Sequence, residues 1–145
     1  METISLKGRI RFMLRSAEGE VKGVYTTENV ITTDGKNFLT GWLAAASQAT
    51  PWMGYVALGT GTTPASSSDS VMEVETARVA GAVSSSANVW QNQATFGPGV
   101  ATGAITEAGL LSDASGGTLM AHRTFSPLNK AATDFLEVTW QVTFA

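Results

Sequence analysis

The sequence predicts an all-β domain, a β-sandwich or jelly roll of about eight short strands with one short helix, and three observations lead there. Apolar and polar residues alternate through both ends of the chain. Turn-forming clusters such as Ser115-Gly116-Gly117 and Ser126-Pro127-Leu128-Asn129 break it into short pieces. Charged residues make up only 14 % of the chain, against roughly 25 % in an average globular protein, and there are 15 glycines.

The first strand is read from Ile4 to Leu14. Ile4, Leu6, Ile10, Phe12 and Leu14 share one phase of a period-two pattern, and Ser5, Lys7, Arg9, Arg11 and Arg15 share the other. The polar stretch Ser16-Ala17-Glu18-Gly19-Glu20 then turns the chain into a second strand, Val21 to Ile31, and completes a hairpin. Phe38, Leu39, Trp42, Leu43 and Ala46 recur every three or four residues, which predicts a short helix capped by Thr33 or Asp34 and stopped by Pro51. Tyr55 to Leu58 is a short strand that ends at Gly59-Thr60-Gly61. Thr62 to Asp69 contains only Thr, Pro, Ala, Ser and Asp and reads as a surface loop. Further strands are predicted within Val71 to Val83, at Val89 to Phe96, Ile105 to Leu111 and Thr118 to Phe125, and from Asp134 to Phe144. In the last, Leu136, Val138, Trp140, Val142 and Phe144 alternate without interruption.

At 145 residues the chain is long enough for one domain, residues 1–145, with a core that needs no disulfide or structural metal. It contains no cysteine, so thiol nucleophiles and thiolate metal sites are excluded. A net charge of −3 gives no general attraction to nucleic acid or anionic membranes. No window approaches the roughly 18 consecutive apolar residues of a membrane-spanning helix, and the alternating first residues do not form a signal peptide.

Candidate chemistry is sparse, and no catalytic, cofactor or metal residues are predicted. The single histidine, His122, sits mid-strand and is expected at a surface or interface, on the face opposite Leu119, Ala121 and Phe125. Gly59-Thr60-Gly61-Thr62-Thr63 lacks the lysine of a phosphate-binding loop and reads as a turn. Glu73 and Glu75 read as a solvated acidic edge. The sequence therefore predicts a non-enzymatic binding protein. Its candidate partner-contact residues are Lys7, Arg9, Arg11 and Arg15, which are four of the nine basic residues and lie on one strand face. Three roles fit this stripe: a solvated face that also protects an exposed edge strand from pairing, a contact for an acidic protein, or a nucleic-acid site. No aromatic stacking platform accompanies the stripe, which sets nucleic acid last. Trp52, next to Pro51 in a predicted loop, is a candidate interface anchor; the alternative is a residue that caps one end of the sandwich.

Five segments together resemble a family. They are Asn29-Val30-Ile31-Thr32-Thr33-Asp34-Gly35-Lys36, Tyr55-Val56-Ala57-Leu58-Gly59-Thr60-Gly61-Thr62-Thr63-Pro64, Glu73-Val74-Glu75-Thr76-Ala77-Arg78, Gly103-Ala104-Ile105-Thr106-Glu107-Ala108-Gly109-Leu110 with Ser115-Gly116-Gly117-Thr118-Leu119, and Leu136 to Phe144. In this order they are similar to small virion structural proteins of tailed bacteriophages. The resemblance implies a head cement or decoration protein on the capsid surface, bound to the major capsid protein as a homo-oligomer, trimeric or otherwise. It also implies an alternative place in the tail, because the Gly59-Thr60-Gly61 region and the Arg78 segment are similar to tail-collar fibre attachment domains. There the partners would be tail or baseplate proteins. A carbohydrate-binding β-sandwich, using Trp52, is the remaining alternative.

Overall fold

The computed structural model describes residues 3–45 and 52–145. Two antiparallel five-stranded sheets pack face to face. In chain order the elements are β1 (Leu6–Arg15), β2 (Val21–Glu28), β3 (Val30–Ile31), α1 (Thr33–Ala44), β4 (Tyr55–Gly59), β5 (Glu75–Ala80), β6 (Ala82–Ser86), β7 (Val89–Phe96), β8 (Gly103–Leu111), β9 (Leu119–Lys130) and β10 (Phe135–Phe144). One sheet runs β2-β1-β10-β7-β6 and the other β3-β9-β8-β4-β5. The architecture is the predicted all-β sandwich with one helix.

The period-two patterns explain the layering. Ile10, Phe12 and Leu14 of β1 and Leu136, Val138, Trp140 and Val142 of β10 are all buried in one apolar cluster. Antiparallel register sets Ile10 beside Trp140 and Phe12 beside Val138, so the two best alternating segments of the sequence become the centre of the first sheet. Val56, Leu58, Ile105, Ala108, Leu110 and Ala121 supply the facing layer. At full burial an aromatic or aliphatic side chain contributes roughly 1.5–3 kcal/mol, which makes this layer the main source of stability.

Strand boundaries depart from expectation at three places, each for a local reason. The Val71 to Val83 region is two strands in different sheets, because the chain crosses over at Gly81. A Cβ there would lie 1.6 Å from Asn92 Oδ1, so only glycine permits the crossing. β9 continues through Ser126-Pro127-Leu128-Asn129, where a turn was expected; a register shift against β8 between Ile105 and Glu107 absorbs the irregularity. β3 is a separate two-residue strand rather than the end of β2.

The helix begins one residue earlier than expected. Thr32 is its N-cap: Thr32 Oγ1 accepts from the Gly35 amide at 2.9 Å and donates to the Met120 and Leu119 carbonyls of β9. Thr32 wins over Thr33 and Asp34 because its hydroxyl serves the helix and the sheet together. Leu39 is buried and Phe38 and Trp42 pack on the core, while Leu43 remains 63 % exposed. Ala46 and Pro51 lie outside the described residues.

Candidate protein-contact surface

The two sheets differ in how their outer faces are used. On the β8–β9 sheet, residues 60–74 lie over the outer face, with Met72 packed among Ala57, Leu111 and Leu119. Consequently β8 is buried from Ile105 through Leu111 on both faces. On the other sheet, the described residues leave the outer face open. It presents Lys7, Arg9 and Arg11 of β1, flanked by Glu137, Thr139, Gln141 and Thr143 of β10 and by Gln91 and Gln93 of β7.

Lys7, Arg9 and Arg11 are exposed, and among the described residues none forms an ion pair. Their cross-strand neighbours on β10 are Thr143, Gln141 and Thr139, which are hydrogen-bonding but uncharged, while on β2 Arg9 lies opposite Glu28 and Arg11 opposite Thr26. Arg9 and Arg11 rim a shallow depression of about 380 Å³ that Gln91, Thr139 and Gln141 help to floor, with a Gln141–Gln91 side-chain bond of 3.1 Å across it. Arg15 stands apart: it is half-buried and donates to the Gly19 carbonyl of the hairpin turn at 3.3 Å. β1 is not an edge strand, since β2 and β10 pair along its two sides. Protection of a free edge therefore does not explain its charges.

Trp52 is 4 % exposed and packs against Trp90, with ring centroids 4.8 Å apart, and against Phe144 at 6.3 Å. It caps the sandwich and is no surface anchor. Met53, which follows it, is fully buried and with φ +51° turns the chain inward to β4.

His122 corrects a second expectation. It is 3 % exposed, not at the surface, because residues 60–74 cover its face of the sheet. Its Nδ1 lies 2.7 Å from Asp69 Oδ2 and its Nε2 lies 2.7 Å from Glu107 Oε2. Glu107 is completely buried. Its Oε1 accepts from the amides of Gly61 at 3.1 Å and Val74 at 3.0 Å, and its Oε2 from the amide of Glu73 at 2.6 Å. One carboxylate of β8 thus gathers the start and end of the covering loop and joins them to His122 of β9. Gly61 is required beside it, since a Cβ would come 2.6 Å from Glu107 Oε1. Burial raises the Asp69 carboxyl, but the Ser66 amide, the His122 hydrogen bond and its charge outweigh this and hold it below the usual carboxylate range. With a carboxylate beside each ring nitrogen, both nitrogens of His122 are engaged within the fold. The arrangement is a clamp.

A second clamp ties another loop. Glu75 receives both Nε and Nη2 of Arg78, at 2.9 and 2.7 Å, while Nη1 donates to the carbonyls of Asp113 and Gly116 at 2.7 and 2.9 Å. Glu75 is thus an exposed acid on the edge strand β5, as expected, and is paired with Arg78 as well. Glu73 is exposed, and hydrogen bonds from the Thr63 side chain and the Thr62 amide lower its carboxyl. Sequence reasoning missed Glu107, although one signal was present: it is the sole ionisable residue in the apolar run Ile105 to Leu111.

No protein-family model, curated protein or solved structure matches the chain. Its functional reading rests on the surface itself and on the sequence resemblance.

Proposed function

We propose that this chain is a non-enzymatic virion structural protein of a tailed bacteriophage, a capsid cement or decoration protein that binds the major capsid protein through the outer face of β1. The observation that carries the contact is the row Lys7, Arg9 and Arg11: three cations that form no ion pair among the described residues, on the open outer face of their sheet, with amide and hydroxyl side chains along β10 and β7 and with Glu28 and Glu137 beside them. Such a face fits an acidic protein surface, because its three cations outnumber the two adjacent carboxylates, none is held in an ion pair, and the amide and hydroxyl neighbours can add hydrogen bonds.

The phage setting is supported by the resemblance. Three of the five segments that carry it converge on the two clamps: Gly61, Glu73, Val74 and Glu107 in one, Glu75, Arg78 and Gly116 in the other. They define a scaffold, and the basic stripe lies outside them, in the part of such a protein free to suit its own partner. A cement protein that binds only the assembled shell stabilises it by mass action, and many copies multiply a modest contact. The carbohydrate reading loses its platform, since Trp52 is inside.

The test is the thermal stability of heads with and without the protein, together with its copy number. Heads lacking it should release DNA at lower temperature, and the Arg9→Glu/Arg11→Glu variant, folded normally, should fail to restore the difference. Unchanged heat resistance would refute the cement reading. A few copies per particle instead of one per capsid subunit would move the protein to the tail or baseplate.

A further inference from the structure

The sandwich is open along one side. β3 has two residues and pairs only with His122 and Ala121, so from Arg123 onward β9 has no strand beside it there. In the other sheet β2 is outermost, and its Tyr25 and Thr27 lie opposite Phe12 and Ile10 of β1, on the side that faces the core. Tyr25 is nonetheless 50 % exposed, because β3 is too short to roof it. A groove of about 430 Å³ is left between β2 and β9. Phe12 and Phe125 form its floor, with ring centroids 4.9 Å apart, and Tyr25 and Leu128 stand on either side.

Among the described residues, one charged side chain lines this groove, and it is Arg123. In the period-two order of β9 it falls between Ala121 and Phe125, which pack in and against the core, so it turns to the same inner face. It is half-buried, and its Nε is cut off from solvent. Among the described residues that Nε has no hydrogen-bond partner, and Arg123 forms no ion pair. The other basic side chains withdrawn from solvent are satisfied. Arg15 donates to the Gly19 carbonyl, Lys130 to the Gly97 carbonyl at 2.8 Å, and Arg78 to Glu75 and two carbonyls. Carboxylates on the neighbouring strands point elsewhere: Glu28 lies opposite Arg9 on the outer face, and Glu107 holds His122. Leaving a half-buried guanidinium unpaired weakens a fold, so the partner that this chain does not supply is informative.

We propose that the groove is a binding site for a small carboxylate with an apolar body. The carboxylate sits on Arg123 and the body lies over Phe12 and Phe125, between Tyr25 and Leu128. A planar carboxylate matches the guanidinium fork with two parallel N–H···O bonds, and a turn about the last side-chain torsions of Arg123 brings Nε–H into that pair. The volume lies within the range of small-molecule sites, about 300–1,000 Å³, and a mostly apolar wall with one fixed polar group is their usual make-up. Inorganic phosphate would satisfy the arginine and leave the aromatic floor wet, while a plain hydrocarbon would cover the floor and leave the arginine unpaired. The groove lies on the inner side of its sheet, opposite the face of Lys7, Arg9 and Arg11, and does not depend on the virion reading.

Decanoate is the probe, with decanol and acetate as controls for chain and headgroup. Followed by amide NMR of the unmodified chain, decanoate should shift residues 25–27 and 123–128 together and saturate. Decanol and acetate should each bind about tenfold or more weakly, since each lacks one half of the contact. Arg123→Gln should weaken decanoate about tenfold or more, as expected for loss of a charge-assisted pair, and leave decanol binding as it was. Arg123→Lys keeps the charge without the fork and should fall between. Decanoate shifts that lie elsewhere or do not saturate overturn the site. So does decanol or acetate binding as tightly as decanoate, or a folded Arg123→Gln protein that binds decanoate as the unmodified chain does. Should Arg123→Gln not fold, the comparison of the three probes on the unmodified chain decides alone.

Discussion

Glu107→Ala should unfasten residues 60–74 and cost the domain about 4 kcal/mol. The change removes the acceptor of three backbone amides, those of Gly61, Glu73 and Val74, and one of the two carboxylates on His122. A buried donor left unsatisfied costs roughly 1–3 kcal/mol, and a hydrogen bond to a charged group is worth about 1.5–3 kcal/mol. Taking the low end for each amide, since a freed loop can reach water, and adding the bond to His122 gives about 4 kcal/mol. For a chain of this length the unfolding entropy is about 0.3 kcal/mol/K, so the melting temperature should fall by roughly 13 °C. Calorimetry at neutral pH measures the fall, and hydrogen exchange of residues 60–74 should show protection lost there first. Glu107→Gln should lose only part of this, because its carbonyl can still accept from the Gly61 and Val74 amides while its NH₂ would face the Glu73 amide. A fall of less than about 4 °C with exchange in the loop unchanged would refute the clamp, since it would correspond to only about 1 kcal/mol.

Trp52→Ala should cost about 3–5 kcal/mol through the cavity left against Trp90 and Phe144, read as a fall in the urea midpoint; a variant of wild-type stability with altered partner binding would restore the anchor reading. Arg78→Ala should cost about 2 kcal/mol and release the 112–117 turn to proteolysis, and Arg78→Lys should recover only part because it cannot span Glu75 and two carbonyls at once. Acid should destabilise the fold late. Asp69, Glu73 and Asp134 all have lowered folded-state values, Asp134 chiefly through its bond from Lys22. Their contribution is thus complete above the ordinary carboxylate value of about 4 and is lost as pH falls through the lower folded values. Melting temperatures followed from neutral pH downward should bend only in that range, and a steady decline already under way at pH 6 would contradict it.

The sandwich was legible because burial on one face leaves a period-two trace, as in β1 and β10. The same reasoning fails for β8, where both faces are covered and the trace disappears. It fails again at Gly81, where the decisive contact is with Asn92, a residue in a later strand. His122 shows the limit most plainly. Its alternation with Ala121 located the face correctly, yet that face is covered by a loop whose polar composition suggested water. The loop can lie there because Glu107 and Asp69 satisfy its amides and the imidazole, and no local pattern encodes partners 46 and 53 residues away. Trp52 was ambiguous for the same reason, its partners Trp90 and Phe144 being distant in the chain.

These partnerships also explain why the basic stripe stands out. Asp69 and Glu107 are committed to His122, Glu75 to Arg78 and Asp134 to Lys22, so a large part of the acidic inventory holds loops in place. Lys7, Arg9 and Arg11, among the described residues, are held in no ion pair, on a strand hydrogen-bonded along both sides. Their backbone is already ordered, and binding has only side-chain freedom to remove, about 0.5–1.5 kcal/mol for each. A contact made this way draws on charge in a solvent-accessible setting, where screening acts within about 8–10 Å at physiological salt. Its association rate should therefore fall steeply as salt rises while the dissociation rate changes little, and the same titration on Arg9→Glu/Arg11→Glu should be nearly flat. An association rate equally insensitive to salt in both proteins would show that the stripe is a solvated face, with the partner bound elsewhere.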